Sequence, residues 1–441
     1  MVLAMGAGLR AASSSITLPE DLFPELKRLI ESSLTQSPRM LIRAASEEVA
    51  AGDALVARSA MLPNANAFGQ FNEQLETRVD VPGTQISEKT YYNAGVTQPV
   101  FHWGALRNAA RVGKLRQVIE SGQTAEAYRL LVNEIRAQFL QLVIKRQTLE
   151  RARFGLNLAK ENVRLGEEKY ANNAISSSEL SSMRTSANLA ELATDRAEED
   201  YRWAKNTLIR LAGVGSIDDA RVGPLIPPVT PAPEVVVTSE AEYLAQSEPA
   251  SYVLRNYQRQ ARIEGLNYDI QRVRLRPKLN AVVGASQDQV SYTANIGQRY
   301  GVQTYFAGLQ VNWSIFDGFA TRGLMASARA RKRIYERNYD ELSDQLKAQV
   351  QHAAREISFS ARAMAFSDVG VPSSESSLQL TKERFERGEV AEIDVKTAEA
   401  AVLDAQIAAS SARYDYLMRT AEFLSLTQKD PALDRLPEPR P

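Results

Sequence analysis

Two histidines, His102 and His352, are the only imidazoles in 441 residues, and the chain has no cysteine. Imidazole base catalysis and zinc binding therefore have little material, because both need nitrogen or sulfur ligands gathered in one place. The missing cysteines exclude thiolate nucleophiles, disulfides and a lipid-bearing N-terminal cysteine, and they suit an oxidising compartment. The sequence shows no phosphate-binding glycine loop, no metal-ligand cluster and no nucleophile with a histidine beside it. Carboxylates are abundant but spread along helix faces, where solvation accounts for them. The chain thus offers no enzyme chemistry, no cofactor site and no metal site, and both histidines read as structural.

The charge balance points the same way. Lysine plus arginine number 53, aspartate plus glutamate also 53. A nucleic-acid binder needs a basic face to neutralise phosphates, so that class is disfavoured. No run of about 18 apolar residues exists, the length a membrane-spanning helix requires. Any crossing would have to be made by strands. Residues Met1 to Ala12 are small and apolar and lead into Ser13, Ser14 and Ser15. They read as a signal-peptide remnant or as a disordered N-terminus over 1–15, and the missing basic start keeps both open.

The elements that would position any site are duplicated. Phe101, in Gln-Pro-Val-Phe-His-Trp-Gly, matches Phe316, in Trp-Ser-Ile-Phe-Asp-Gly, at an offset of 316 − 101 = 215. Tyr170 matches Phe385 and Leu211 matches Leu426 at the same offset. Upstream, Ser37-Pro38 pairs with Glu248-Pro249 at 249 − 38 = 211, so the strand regions differ slightly in length.

Within each half an apolar residue recurs every seven. The series are Ile135, Leu142, Leu149, Leu156, Val163, Tyr170 and Val350, Ile357, Met364, Val371, Leu378, Phe385. Sustained sevens under-wind helices to about 3.5 residues per turn and coil them around neighbours. The returning helices carry smaller residues at that spacing: Met183, Ala190, Ala197 and Ala204, then Ala398, Ala405 and Ala412. No proline falls between Leu106 and Tyr170, which predicts one helix on the order of 100 Å long. Pro372 inside the second long helix predicts a kink.

A strand hairpin is predicted before each long helix. Tyr305, Ala307, Leu309, Val311, Trp313 and Ile315 alternate with Thr304, Gly308, Gln310, Asn312 and Ser314. Period two over about ten residues fits a strand with an apolar lipid face and a polar lumen face. Its partner runs from Leu279 toward Tyr292, and the turn between is polar, with Ser291, Thr293, Asn295, Gly297 and Gln298. The first-half pair is Ala65 to Leu75 and Tyr91 to Val100, around a loop with Asp80, Pro82 and Gly83. Four strands cannot close a barrel, which needs about eight. Self-association is required, and three copies supply twelve.

The prolines 224, 227, 228, 231 and 233 mark a linker over 214–238, between a first repeat at 16–213 and a second at 239–428. The proline-rich tail 429–441 reads as disordered.

This pattern resembles the TolC-type outer-membrane efflux proteins over nearly the whole chain, from about Leu22 to Leu426. The resemblance rests on Ser-Pro and Glu-Pro near the start of each half, and on Pro63 and Pro277 at the helix-to-strand junctions. It rests also on Gln-Pro-Val-Phe and Trp-Ser-Ile-Phe-Asp-Gly at the strand ends, and on Arg384-Phe385-Glu386-Arg387-Gly388 followed by Ile393-Asp394-Val395. The implied fold is mainly α with a small membrane β-barrel. Duplicated long helical hairpins form an α-barrel, and four strands per chain make a trimeric twelve-stranded barrel. The implied setting is the bacterial outer membrane, with the helical body in the periplasm. The implied partners are two further copies of the chain, a periplasmic adaptor, an inner-membrane pump and outer-membrane lipid.

The resemblance also implies roles by position. Adaptor-contacting tips fall at Asn172, Asn173, Ala174 and Ile175, within 172–178, and at Gly388, Val390 and Ala391, within 388–393. Asp394 takes the place of a ring aspartate that narrows the periplasmic entrance. As bare chemistry it is equally a solvated acid favouring a helix N-terminus. A second aspartate of the family is Thr397 here and a gate-latching arginine is Val390, which leaves Glu389 and Glu392 to supply gate charge. Tyr305, Leu309, Val311 and Trp313 would face lipid. The function expected is passive export from pump and adaptor to the exterior, in efflux or type I secretion, with cargo unassigned. The rival is a pore-less coiled-coil scaffold, which leaves both hairpins without a use.

Overall fold

The computed structural model describes residues 16–77, 83–246, 251–292 and 299–435. The expected signal remnant, Asp80, Pro82, Glu248-Pro249, the centre of the second hairpin turn and the tail beyond 435 lie outside the described residues. Three helices, α1 (Pro19–Leu22), α2 (Pro24–Gln36) and α3 (Pro38–Ser59), precede strands β1 (Asn64–Thr77) and β2 (Thr84–Phe101). The long helix α4 (Ala105–Ala171) and its return α5 (Ser177–Ala212) complete the first repeat. Helices α6 (Pro233–Ala245) and α7 (Tyr252–Arg272) then lead to β3 (Lys278–Tyr292), β4 (Arg299–Asn312), α8 (Ala320–Glu386) and α9 (Glu392–Leu426).

The duplication read from three landmarks extends to the element ends. Helices α4 and α8 each have 67 residues, with both starts (320 − 105) and both ends (386 − 171) offset by 215. Left-handed backbone repeats in the same register: Trp103 and Gly104 have φ of 55° and 81°, and Gly318 and Phe319 have 63° and 66°. Only one residue of each pair is glycine, and the aromatic neighbour is driven into the costly conformation. The tight strand-to-helix corner is therefore a feature of the repeat itself.

The chain divides into two units. One contains the residues up to Ala45, Gln123–Leu254 and Glu341–Arg440; the other contains Ser46–Gly122 and Arg255–Asp340.

In the first unit, Leu26 and Leu29 of α2, Tyr128, Leu131, Ile135 and Phe139 of α4, Leu208 of α5 and Leu417 of α9 are buried in one cluster. Ile135, Leu142, Leu149, Val350, Ile357 and Met364, the first three members of each seven-residue series, are buried, whereas Tyr170 and Phe385 at their ends are exposed. Arg136 is fully buried, bonded to Glu20 and, at 2.5 and 2.9 Å, to Asp430. A buried guanidinium is tolerated only with its charge and donors matched, as two carboxylates do here. The same contact corrects the expected tail. Residues 431–435 form a 3-10 turn with Ala432 and Leu433 buried, because Asp430 is tied to Arg136. The expected linker is likewise packed: Ile217, Val222, Ile226 and Val229 join the core, and proline at 233 opens α6 at the position where a missing N–H costs nothing. Helix α5 ends at Gly213, whose φ is 75°, and a Cβ there would lie 2.0 Å from the Gln36 carbonyl oxygen. Helix α8 continues through Pro372.

In the second unit the four strands form one antiparallel sheet in the order β1-β2-β3-β4. The two hairpins are thus joined through β2 and β3, where Val96 faces Val283 and Ala94 faces Ala285. Strand β4 begins at Arg299, earlier than expected, and ends at Asn312, so Trp313 and Ile315 lie beyond it. The segments 102–122 and 255–272 meet through Val112, Ile119 and Ile263. No helix among the described residues is long and apolar enough to cross a membrane.

Candidate functional site

Register turns the alternation of one strand into two unlike faces of a whole sheet. Directly paired residues share a face. Leu279, Ala281, Val283 and Ala285 oppose Val311, Leu309, Ala307 and Tyr305, and Val96 and Ala94 carry the same face across β2 to Ala65 and Ala67. The reverse face is mixed but richer in polar residues: Asn66, Gln70 and Asn72 of β1, Asn93 and Thr97 of β2, Asn280 and Ser286 of β3, and Thr304 and Gln310 of β4, with Phe68, Val282 and Phe306 among them. Lys89 and Asp288 approach to 3.9 Å on it. Tyr305, Leu309, Val311 and Trp313 are all largely exposed in the single chain, but Trp313 lies just past the end of the strand, in the irregular segment that follows it. Its indole N–H donates to the Leu275 carbonyl at 2.9 Å. His102 is hydrogen-bonded through Nε2 to Asn280 Oδ1 at 2.8 Å. Among the described residues no group of three His, Asp or Glu side chains could hold a metal ion.

The two helical tips, both in the first unit, are one structure built twice. At the first, Asn173 N–H donates to the Tyr170 carbonyl at 2.9 Å and Ala174 N–H to Lys169 at 2.8 Å. At the second, Gly388 donates to Phe385 at 2.8 Å and Glu389 to Arg384 at 2.9 Å. These paired bonds close a helix C-terminus around one left-handed residue, Asn173 (φ 56°) or Gly388 (φ 72°). The following helices also start alike. Ser176 N–H donates to Glu179 Oε2 at 2.8 Å, and Ala391 N–H donates to Asp394 Oδ2 at 2.9 Å. Glu179 and Asp394 stand 394 − 179 = 215 apart. The Ser176 backbone bond holds the Glu179 carboxyl below the usual range. Glu179 N–H finds Ser176 Oγ, a return bond that alanine at 391 cannot make.

The other tip acids have partners nearby. Glu389 lies between Arg384 (3.3 Å) and Arg387 (3.4 Å), and Glu392 pairs with Lys396 at 3.0 Å. Thr397 Oγ1 donates to its own helix at Ile393, and Val390 is half-buried. The reading from sequence missed Arg164, which bonds Glu161 and Glu168 at 2.5 Å. Those bonds, chiefly the one to Glu161, raise the Arg164 pKa further, and Glu392 adds to the effect across the two hairpins. Acid–base spacings of three and four on one helix are the signal that could have found it.

A helical body ending in two like-built tips, and a four-stranded sheet with one face richer in apolar and one in polar residues and open edges at β1 and β4, are the architecture of an outer-membrane channel subunit, the class that the family match assigns. The chain belongs to the outer membrane efflux protein family, whose model matches residues 29–214 and 254–427. It is 24% identical over 353 residues to the alkaline protease secretion protein AprF of Pseudomonas aeruginosa, covering 78% of this chain and 70% of that protein. Its fold is that of the Campylobacter jejuni CmeC outer membrane channel, with a TM-score of 0.71 at 15% identity over 97% and 91% of the two chains. The outer membrane protein VceC of Vibrio cholerae gives a TM-score of 0.65 at 16% identity over 94% and 99%. The protein is accordingly an efflux or secretion channel of the outer membrane with its helical body in the periplasm, and the TolC-type resemblance stands. The pore-less scaffold is not favoured.

Proposed function

We propose that three copies of this chain close a twelve-stranded barrel over a ring of twelve helical lengths, and that the assembly conducts cargo passively outward from an inner-membrane pump and its periplasmic adaptor. The observation that carries this reading is where the internal repeat leaves residues exposed. Within one chain α4 meets α9 through Arg151 and Asp404 at 2.8 Å and through Arg129 and Ser425 at 2.7 Å. Moving those positions by 215 gives Phe366 and Leu189, and Asp344 and Arg210. Phe366 and Leu189 are 79% and 63% exposed, and Asp344 and Arg210 are opposite charges. Helix α8 of one copy against α5 of the next repeats the internal contact. The unpaired edges of β1 and β4 want the same neighbour.

In this assembly Tyr305, Leu309 and Val311 face lipid, with Trp313 below them. Gln310, Asn312 and their neighbours keep the bore wet. The tips at Asn172, Asn173, Ala174, Ile175, Gly388, Val390 and Ala391 meet the adaptor. Asp394 carries the entrance charge, with Glu392, Glu389 and Thr397 around it, and three copies of Asp394 near one axis disfavour anions and attract cations. Because the chain lacks cysteine, Phe366→Cys with Leu189→Cys can be bridged by a short bis-maleimide. A ladder that stops at the trimer is the expected product. A purely intrachain product, or none, overturns the proposal.

A further inference from the structure

All four strands leave the sheet at one end, where Asn64 faces Thr97, Leu279 faces Phe101 and Lys278 faces Asn312. At that end two tryptophans hold one short segment. Trp103 donates from its indole N–H to the Pro277 carbonyl at 2.7 Å, and Trp313 donates to that of Leu275 at 2.9 Å. The segment they hold is Arg274-Leu275-Arg276-Pro277-Lys278. The Arg276 guanidinium carbon lies 4.7 Å from the centroid of the Trp103 ring, and Arg274 approaches Asp317 only to 4.0 Å. Phe101, Phe316 and Phe319 beside this segment are 50%, 70% and 69% exposed.

The first repeat supplies an internal control. Gln98 Nε2 donates to the Met61 carbonyl at 3.0 Å, matching Trp313 and Leu275 at offsets of 313 − 98 = 215 and 275 − 61 = 214. At the positions of Arg274, Arg276 and Lys278 it has Ala60, Leu62 and Asn64. The same corner is therefore built on neutral residues once and on three cations once. The fold does not require the cations.

Anchored tryptophans at the foot of a membrane sheet sit at headgroup level, and cations at that level draw anionic phosphates. A guanidinium adds two parallel donors that match a phosphate. We propose that Trp103, Trp313, Arg274, Arg276 and Lys278 form a binding site for the phosphate headgroup of an anionic phospholipid in the periplasmic leaflet, one per chain. The proposal rests on the outer-membrane reading. An acidic polypeptide in transit would use the cations alone and gives no account of the exposed aromatic residues around them.

Native mass spectrometry of the detergent-purified full chain, titrated with phosphatidylglycerol, phosphatidylcholine or inorganic phosphate, tests it. Phosphatidylglycerol is expected to stay bound where phosphatidylcholine does not, and inorganic phosphate should not displace it. The triple variant Arg274→Ala/Arg276→Leu/Lys278→Asn copies the first junction and should retain phosphatidylglycerol on the order of tenfold less well or worse. Arg274→Lys/Arg276→Lys, which keeps the charge, should retain most of it. Equal retention of the two lipids, an unaffected triple variant, or displacement by inorganic phosphate overturns the site. Outer-membrane fractionation of the same variants reads the channel assignment separately and is expected to be unchanged.

Discussion

Arg413 donates from Nε to Asp368 Oδ1 at 2.9 Å, at the place where the first hairpin sets Glu198 against Arg153 at 3.7 Å. The offsets, 413 − 198 and 368 − 153, are both 215, so one rung is built twice with its charges exchanged. Arg413 is the more deeply placed, with 10% of its side chain exposed, and it also donates to the Ile226 carbonyl at 2.6 Å. Asp368→Ala strips a nearly buried cation of its counter-charge and should cost about 2–3 kcal/mol. Glu198→Ala, at a solvated pair, should cost less than about 1 kcal/mol. Urea midpoints of the two variants should differ accordingly, and equal shifts would refute the assignment of depth to the second rung.

A second rung is reversed in the same way. Glu167 meets Arg184 at 2.8 Å, and Lys382 meets Glu399 at 3.2 Å, again 215 apart. At these two rungs a long helix would meet like charge on the other return helix, Glu167 against Glu399 and Arg153 against Arg413, although elsewhere α4 does pair with α9 through Arg151 and Asp404. Such repulsion selects a partner more than it strengthens one. Exchanging the first pair, Glu167→Lys with Arg184→Glu, should leave the melting temperature of the assembled protein nearly unchanged but lower the yield of native oligomer on refolding from urea. An unchanged yield would show that the reversed polarity plays no part in pairing.

Asp394 has two uses that substitutions can separate. Asn at 394 keeps an acceptor for the Ala391 N–H and removes the charge, whereas Ala removes both. If the carboxylate sets entrance charge, Asp394→Asn alone should lower cation preference in planar-bilayer currents while tip exchange rates stay as in the wild type. Currents altered only in Asp394→Ala would make it a helix cap and nothing more.

The apolar sheet face predicts where charge is not tolerated. Leu309→Lys should impair membrane assembly by roughly 2–4 kcal/mol near mid-depth, while Gln310→Lys, one residue away on the opposite face, should assemble. The yield of heat-resistant oligomer compares them, and equal yields would reverse the assignment of faces.

Asp219 ties the 3-10 turn Asp219–Arg221 to α5, with Lys205 Nζ and Tyr201 Oη each 2.7 Å from Oδ1. The Lys205 bond, and after it the Tyr201 bond, hold the Asp219 carboxyl below its ordinary range. Burial and that same hydrogen bond push the Tyr201 hydroxyl up. A depressed acid adds stability that is complete above its unfolded value and is lost as pH falls through the lower folded one. Protection of the 219–222 amides, with the intrinsic pH dependence of exchange divided out, should therefore be flat near neutral pH and fall only below about pH 4. A loss of protection beginning near neutrality would point to another group.

Much of the fold was legible because its signals are local and repeated. A proline-free stretch spanned the 67-residue α4, whereas α8 runs on through Pro372; period-two alternation marked β4, and the 215 offset aligned α4 with α8. The strand ends were less legible: Trp313 continues the alternation of β4 but leaves the ladder for the Leu275 carbonyl. The Asp430 tail looked disordered because its counter-charge, Arg136, lies 294 residues away.

The sequence alone determined that there are two copies of one unit, and that each pairs a hairpin of strands with a hairpin of helices, since periodicity and turn chemistry are properties of neighbours along the chain. Only the tertiary structure decided which charges face which. Whether Arg153 finds Glu198, or Arg413 finds Asp368, depends on side chains brought within about 4 Å by packing of distant segments, and such contacts leave no periodic trace in the order of residues.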